Sequence, residues 1–152
     1  MVVQRLIRAA GPGDLSTLLA LERACFPPGR AYHVTEYRDA LARPDAVNLG
    51  VVLDGAVRAF AGAVIEEGGR VGHLFTIHVH PDERRRGHAR ALLAALEDRL
   101  RARDVRVARL EVATSNDAAL ALYRAAGYAE VGAVPGYYAL PDEDAVRMEK
   151  AL

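Results

Sequence analysis

The first half of the chain alternates short apolar segments with turn residues, a pattern typical of a strand-rich sheet. Three apolar segments follow one another, Val47–Leu53, Val57–Glu66 and Val71–Val79. The pairs Asp54-Gly55 and Gly68-Gly69 separate them, and such pairs favour tight hairpin turns. The pattern therefore predicts three consecutive strands, each antiparallel to the one before it.

A short strand and two helices are predicted ahead of these three strands. The strand covers Val3–Arg8 and ends at the turn residues Gly11-Pro12-Gly13. Asp14 is expected to cap a first helix, which stops at Pro27-Pro28. A second short helix is expected over Thr35–Leu41.

The second half of the chain changes to helical spacing. Between Gly87 and Arg103, leucines recur at helical intervals, with Glu97 among the charged residues expected on the opposite face. A strand is predicted over Val105–Thr114. A further helix is predicted over Asp117–Ala126, with Asn116 as its N-terminal cap.

That helix is expected to end at Gly127, because glycine favours the left-handed conformation of a helix terminus. Two final strands are predicted over Tyr128–Val134 and Ala145–Ala151. Because a helix separates Val71–Val79 from Val105–Thr114, these two strands are expected to form a parallel crossover pair. The sequence thus predicts an α/β (α+β) fold. Its sheet is mixed and mostly antiparallel, with a central parallel pair and about four flanking helices.

Length and composition favour one folded domain over residues 1–152, with 51% hydrophobic residues and 20 basic residues against 20 acidic ones. The single cysteine, Cys25, cannot form an internal disulfide, and its residue type favours a small buried side chain. No apolar run reaches the roughly 18 residues of a membrane span, and the first residues lack a signal-peptide core. We therefore expect a cytoplasmic protein without a membrane partner.

A cluster of arginines between Arg84 and Arg90 qualifies the neutral net charge. Zero net charge argues against a nucleic-acid partner. The cluster, however, lies where a predicted strand leads into a predicted helix, and a helix start attracts anions through its unpaired N–H groups and its dipole. Gly87 and Ala89 are small enough for a phosphate to approach the backbone. The segment predicts a pyrophosphate-sized anion site, with a solvated charged run as the alternative.

Three motifs carry a resemblance to a known family. The segment Val79–Ala89, with the pattern Val-x-Pro followed by Arg-x-x-Gly-x-Ala, resembles the acetyl-CoA pyrophosphate loop of the GNAT superfamily of N-acetyltransferases. Leu110–Tyr128 resembles the second signature of that superfamily and is similar to the bacterial ribosomal-protein-alanine N-acetyltransferases. The tail, Tyr137–Met148, resembles protein N-terminal acetyltransferases. The motifs occur in the family's order and spacing.

The resemblance implies that acetyl-CoA binds in a V-shaped opening between the two parallel strands, and that an amine attacks the thioester directly. A backbone N–H near the end of the first of these strands, freed by a bulge, would polarise the carbonyl. Asn116 is also explained by helix capping alone. The implied cofactor contacts are Ile77, His78, Val79, Arg85, Arg86, Gly87, His88, Ala89, Arg90 and Asn116.

Glu111 and Tyr123 match the family's general base and general acid. If Glu111 is partly buried, desolvation would raise its pKa and make it a better base. A structural ion pair with an arginine is the alternative. A tyrosine phenol, with a pKa near 10, stays protonated at neutral pH and can donate to the departing thiolate. The alternative for Tyr123 is a core residue at helical spacing.

The acceptor side is less well defined by the sequence. Tyr137 and Tyr138 are expected in a loop between the last two strands, where the resemblance implies that they close over an acceptor peptide. The alternative is that they are ordinary aromatic residues at the rim of a hairpin. The segment Phe26–His33 is expected to form the opposite wall of the acceptor site. An α-amine has a pKa of about 7.7–8.0 against about 10.4 for lysine. An α-amine is therefore the easier one to deprotonate near neutrality, and the resemblance implies such an acceptor, the N-terminus of a protein such as a ribosomal protein. A small amine acceptor and a non-catalytic CoA-binding module are the alternatives.

Two further questions concern histidines and assembly. In a regular strand His73 faces away from His78, and no other ligands complete a set, so no metal is expected. His78 stands where the relatives have a small apolar residue, and it either narrows the acceptor cleft or supplies an extra base.

The sequence leaves open whether the protein is a monomer or a homodimer.

Overall fold

Seven strands form one continuous sheet in the computed structural model, which describes residues 5–139 and 142–152. In chain order the strands are β1 (Leu6–Ala9), β2 (Ala46–Leu53), β3 (Ala56–Glu66), β4 (Val71–Val79), β5 (Val107–Ala113), β6 (Ala129–Ala139) and β7 (Asp142–Ala151). Across the sheet their order is β1-β2-β3-β4-β5-β7-β6, and every neighbouring pair is antiparallel except β4 and β5. The predicted mixed α/β fold is confirmed.

Four α-helices pack on the two faces of this sheet. They are α1 (Leu15–Cys25), α2 (Val34–Ala42), α3 (His88–Ala102) and α4 (Asp117–Ala125). The four leucines of α3 are buried against the inner strands in one large apolar core, to which α4 contributes Leu120. A smaller core joins α1 and α2 to the opposite face around Phe60. Among the described helices, none is long and apolar enough to cross a membrane.

The hairpin between β2 and β3 forms where the turn pair was expected. Asp54 and Gly55 both have positive φ, at 49° and 78°, as a tight hairpin turn requires. At the other end of the chain, the predicted strand from Val3 is only partly described. Residues 1–4 lie outside the described ranges, and β1 starts at Leu6.

Asp14 precedes α1, but the prediction that its side chain caps this helix is wrong. No hydrogen bond joins its carboxylate to the first turn of α1. The carboxylate accepts hydrogen bonds from the Arg8 guanidinium at 2.9 Å and from the Gly11 backbone N–H at 2.9 Å. A charged partner on β1 therefore outcompetes the helix amides, and Asp14 fixes the turn between β1 and α1.

Glu97 lies on the buried side of α3, so its predicted place on the solvent face is wrong. Its side chain accepts hydrogen bonds from the Tyr128 hydroxyl and the Lys150 ammonium, both at 2.8 Å. A buried carboxylate is tolerated when it is paired and hydrogen-bonded, and the two partners come from the segment just before β6 and from β7. The ion pair links α3 to the last two strands.

The parallel pair β4 and β5 is joined only at one end. The register pairs Val71 with Val107, Gly72 with Ala108 and His73 with Arg109, and the pairing then stops. Both strands continue, β4 to Val79 and β5 to Ala113. The expected splay is therefore present, and a gap opens between the carboxyl ends of these strands.

A bulge in β4 lies just beyond the point where the two strands part. Gly62 of β3 pairs with Thr76, while Ala63 pairs with Leu74, so Phe75 is the extra residue. The bulge reverses the alternation of side chains along β4. His73 and His78 consequently share one face of the sheet, and the expectation that they face opposite ways is wrong.

Gly62 provides the space that the Phe75 ring occupies. A Cβ on Gly62 would lie 2.3 Å from the ring Cζ of Phe75 and 2.9 Å from Oδ1 of Asn48. We expect Gly62→Ala to displace the ring and lower the free energy of unfolding by about 1–3 kcal/mol, the usual cost of overpacking. Urea denaturation measures this change.

Gly132→Ala is the matched control for that measurement. Gly132 also lies in a strand, but a Cβ there would meet nothing within 4 Å. The control should leave the unfolding midpoint unchanged or slightly raised, because alanine has less conformational freedom to lose. Equal effects of the two substitutions would contradict the role given to Gly62.

Candidate active site

A cleft of about 1260 Å³ occupies the gap between β4 and β5. The end of β4, the start of α3, the end of β5 and one side of α4 all contribute to its walls, and β6 and the segment after α1 close its far end. Every site residue expected from the sequence lines this cleft except Arg86. The guanidinium of Arg86 lies instead 3.2 Å from Glu83.

The start of α3 forms one end of the cleft. Gly87 precedes the helix with φ +79°, a left-handed conformation that glycine adopts without strain. The residues Gly87, His88, Ala89 and Arg90 all line the cleft. The first N–H groups of a 15-residue helix therefore lie beside the gap, where their partial positive charge favours an anion.

Two further arginines support this loop: Arg84, which belongs to the predicted arginine cluster but not to the implied cofactor contacts, and Arg5, which was not expected at the site. Arg84 lines the cleft and donates a hydrogen bond from Nε to the carbonyl of Val79 at 3.2 Å. Arg5 donates to Nδ1 of His88 at 3.0 Å and to the carbonyl of Arg86 at 2.9 Å. The motif already contained Arg84, whereas nothing local in the sequence indicates that Arg5 reaches the loop.

Asn116 caps α4, as expected. Its Oδ1 accepts a hydrogen bond from the Ala119 backbone N–H at 3.1 Å. The side-chain oxygen is thus used by the helix, and the amide N–H groups remain the donors that Asn116 can present to a ligand. Capping and ligand binding are compatible at this position.

Glu111 lies in β5 with its side chain only 2% exposed. Oε1 is 2.6 Å from Nε2 of His73, and Oε2 accepts a hydrogen bond from Nε of Arg147 at 3.0 Å. Burial acts to raise the pKa of Glu111, but the hydrogen bonds from His73 and Arg147 outweigh it, so the pKa lies below its ordinary value. The expected rise in pKa is wrong, because both partners favour the charged carboxylate.

Tyr123 projects from α4 into the cleft and is almost completely buried. Burial raises the pKa of its phenol, because the ionised form would lose its hydration. Its ring packs edge-on against Tyr128, with the ring centroids 5.7 Å apart. The phenol is therefore protonated at neutral pH and held by a neighbouring ring.

His78 is packed between aromatic rings beneath α1. Its ring lies 5.1 Å from Phe26 and 5.9 Å from Phe60, and Nδ1 is 2.9 Å from the Thr76 hydroxyl. Burial lowers the pKa of His78 to about 3. Such a ring is neutral at pH 7 and is a very weak base, so the packing favours the narrowing of the cleft over the role of an extra base.

Tyr137 and Tyr138 belong to strand β6, and their expected place in a loop is wrong. Pairing with β7 shifts register after Val134 and resumes where Tyr138 faces Glu143. Both rings line the cleft and pack edge-on with centroids 5.0 Å apart. A strand fixes these aromatic side chains more firmly than a loop would.

The opposite wall, formed by the segment after α1, is bonded to the rest of the site at two places. The Tyr32 hydroxyl donates to the carbonyl of Phe75, the bulged residue, at 2.9 Å. Arg30 lies over the ring of Tyr138 at 4.2 Å and pairs with Glu143 at 3.1 Å. The two walls of the acceptor end therefore meet across the cleft.

The described residues also bear on metal binding. Among residues 5–139 and 142–152, no group of three or more histidine, cysteine, aspartate or glutamate side chains is placed to hold a metal ion. The groups that line the cleft include the Glu111 carboxylate, the Tyr123 phenol and the start of α3.

Comparison with known proteins agrees with this geometry. The model of the acetyltransferase (GNAT) family matches residues 15–128. The chain is 34% identical over 148 residues to the ribosomal protein bS18-alanine N-acetyltransferase of Escherichia coli strain K12, covering 88% of this chain and 96% of the relative. It is also 34% identical over 148 residues to the N-alpha-acetyltransferase RimI of Mycobacterium tuberculosis, covering 95% of this chain and 90% of that protein.

A solved structure shows the same fold. The crystal structure of the ribosomal-protein-S18-alanine N-acetyltransferase from Escherichia coli matches with a TM-score of 0.87 and 29% identity. The match covers 97% of this chain and 94% of that one. The chain belongs to the acetyltransferase (GNAT) family and is an acetyl-CoA-dependent N-acetyltransferase.

Proposed function

We propose that this enzyme transfers the acetyl group of acetyl-CoA to the N-terminal α-amino group of a protein, such as a ribosomal protein. The observation that carries the proposal is the meeting of Glu111 and Tyr123 in one cleft, beside an anion-binding helix start. The names of the relatives from Escherichia coli and Mycobacterium tuberculosis support an α-amine acceptor. A ribosomal acceptor would place the enzyme in the cytoplasm.

The residues of the cleft fit acetyl-CoA. The amides at the start of α3, together with Arg84, Arg85 and Arg90, would neutralise the pyrophosphate. The backbone of Ile77–Val79 faces a gap in the sheet, so its unpaired groups can bind an extended arm. When bound, acetyl-CoA supplies an acetyl group already activated as a thioester.

Glu111 would take the proton from the acceptor ammonium, directly or through one water molecule. Because its pKa is low, it is a weak base and can assist only an amine that gives up its proton readily. An α-ammonium, with a pKa of about 7.7–8.0, meets that condition far better than a lysine ammonium at about 10.4. The electrostatics of Glu111 thus favour a protein N-terminus over a lysine side chain.

Tyr123 would donate its phenolic proton to the departing thiolate. The raised pKa keeps the proton on the oxygen until a strong base appears beside it, and the thiolate is such a base. The backbone N–H groups at the end of β4 would bind the oxygen of the thioester carbonyl as negative charge develops. Each requirement of the transfer therefore has a group in this cleft.

An acceptor competition tests the proposed substrate. Two peptides are compared: one begins with a free alanine, and the other has the same sequence with a blocked N-terminus and an internal lysine. Near pH 7.5 we expect the first to be acetylated about 10²-fold faster, because a far larger fraction of its α-amine than of the lysine amine is uncharged. Mass spectrometry of the products locates the acetyl group. Turnover of small amines without turnover of either peptide would overturn the proposed acceptor.

Tyr123→Phe tests the proposed acid. The substitution removes only the hydroxyl, so we expect kcat to fall about 10²-fold or more while the affinity for CoA stays nearly unchanged. Steady-state kinetics and calorimetric titration with CoA measure the two quantities.

Tyr128→Phe is the matched control for that test. Tyr128 is the ring neighbour of Tyr123, but its hydroxyl donates to Glu97, in the core. We expect this variant to lose roughly 1–3 kcal/mol of stability, because a buried carboxylate loses one partner, with kcat little changed. Equal losses of kcat in both variants would contradict a specific role for the Tyr123 proton.

A further inference from the structure

His73 contacts the proposed catalytic carboxylate, a contact that the sequence did not indicate. It pairs in register with Arg109 at the last joined position of β4 and β5, and Glu111 lies two residues further along β5. Residues two apart on a strand share a face. His73 and Glu111 therefore meet at the point where the gap begins.

The contacts of His73 join a buried group to an exposed one. Nε2 lies 2.6 Å from Oε1 of Glu111, and Nδ1 lies 3.3 Å from Oε1 of Glu66 at the end of β3. The His73 side chain is 27% exposed, Glu66 is 42% exposed and Glu111 is 2% exposed. The imidazole thus stands between the carboxylate of the cleft and the solvent.

The charged groups around this histidine come from three neighbouring strands. Besides Glu66 and Glu111, Arg147 of β7 contacts the far oxygen of Glu111. Arg109 of β5 is held away by its own partners, Glu67 at 2.9 Å and Glu149 at 2.6 Å. The nearest charges to the ring are therefore two carboxylates, which favour its protonated form.

We propose that His73 is a positioning residue for acetyl transfer, because its Nε2–H fixes the Glu111 carboxylate toward the acceptor amine and its charge sets how strongly that carboxylate accepts a proton. The inference rests on the proposed function. His73 and Arg147 hold one oxygen each, so the carboxylate plane cannot rotate. The Tyr137 hydroxyl of β6 also interacts with this carboxylate, and the acceptor sites beyond these three partners are those available to the cleft.

The two states of His73 give Glu111 two strengths as a base. The hydrogen bond to Glu111 raises the pKa of His73 and, despite burial, holds it above its ordinary value. Below that pKa an imidazolium stabilises the charged carboxylate and makes it a weaker base. Above it the ring is neutral, still donates from Nε2, and leaves Glu111 more basic, while Arg147 stays charged throughout. Turnover should therefore rise as the pH passes the raised pKa of His73.

The proton of the acceptor does not pass through this ring. Nε2 already carries a hydrogen in its bond to Glu111, so the proton moves from the ammonium nitrogen to a free lone pair of the carboxylate. It then leaves to water in the cleft before the next turnover. His73 acts on the reaction only through Glu111.

Two substitutions separate position from charge. Glutamine at this site can donate an N–H to Glu111 but cannot titrate, whereas leucine can do neither. We expect His73→Gln to keep kcat within a few-fold at high pH and to lose one step of the kcat–pH profile. We expect His73→Leu to lower kcat about ten- to a hundredfold with the KM for acetyl-CoA unchanged, since misplacing a catalytic group costs this much. Circular dichroism checks that both variants fold.

Nuclear magnetic resonance of the His73 ring supplies a readout that needs no acceptor. We expect Glu111→Gln to lower the pKa of His73 more than Glu66→Gln does, because the bond to Glu111 has the larger effect on it. An unchanged His73 pKa in Glu111→Gln, or a His73→Leu variant with wild-type kcat and pH profile, would overturn the proposal. If the wild-type enzyme acetylates no peptide, the proposed acceptor fails, while the titration and the kinetics with any accepted amine still decide the role of His73.

Discussion

The parting of β4 and β5 after His73 is the constraint on which the rest of the site depends. Sheet strands normally satisfy the backbone groups of their neighbours, and an unpaired group away from water costs free energy. Here three paired positions hold the strands together, and the remaining length of each faces a gap. The β4 backbone beyond His73 thereby lacks a neighbouring strand on the side of the gap, and α3 starts at the wide end, where the partial positive charge of its first amides favours an anion.

The bulge at Phe75 decides which side chains of β4 share a face at this opening. One extra residue in β4 puts His78 on the face that His73 shares with Glu111, and the carbonyl of the extra residue, Phe75, accepts a hydrogen bond from Tyr32. The glycine at position 62 is the condition for it, because any Cβ there would overlap the Phe75 ring. A single irregularity thus places the His78 ring and bonds the segment after α1 to β4.

The sequence predicted the elements well, and most of the expected cofactor contacts line the cleft, because those features are local. Turn pairs, leucine spacing and the Arg-x-x-Gly-x-Ala segment each lie within one stretch of chain. Cross-strand partners are not local. No residue near Glu97 in the sequence indicates that Lys150 pairs with it, and no residue near Glu111 indicates that Arg147 does. The bulge in β4, which reverses the alternation of its side chains, is marked in the sequence only by Gly62 on the neighbouring strand. The wrong direction for the pKa of Glu111 follows from this, since burial could be inferred from the pattern and its partners could not.

We propose that the free backbone of β4 in the gap binds the coenzyme, and amide hydrogen exchange is the measurement that bears on it. Exchange is measured by nuclear magnetic resonance with and without saturating CoA. We expect slower exchange on CoA addition for the gap-facing amides of Thr76–Val79 and for the first amides of α3, with the amides shared by β2 and β3 unchanged. CoA binding that leaves the β4 amides unaffected and protects another surface would contradict it.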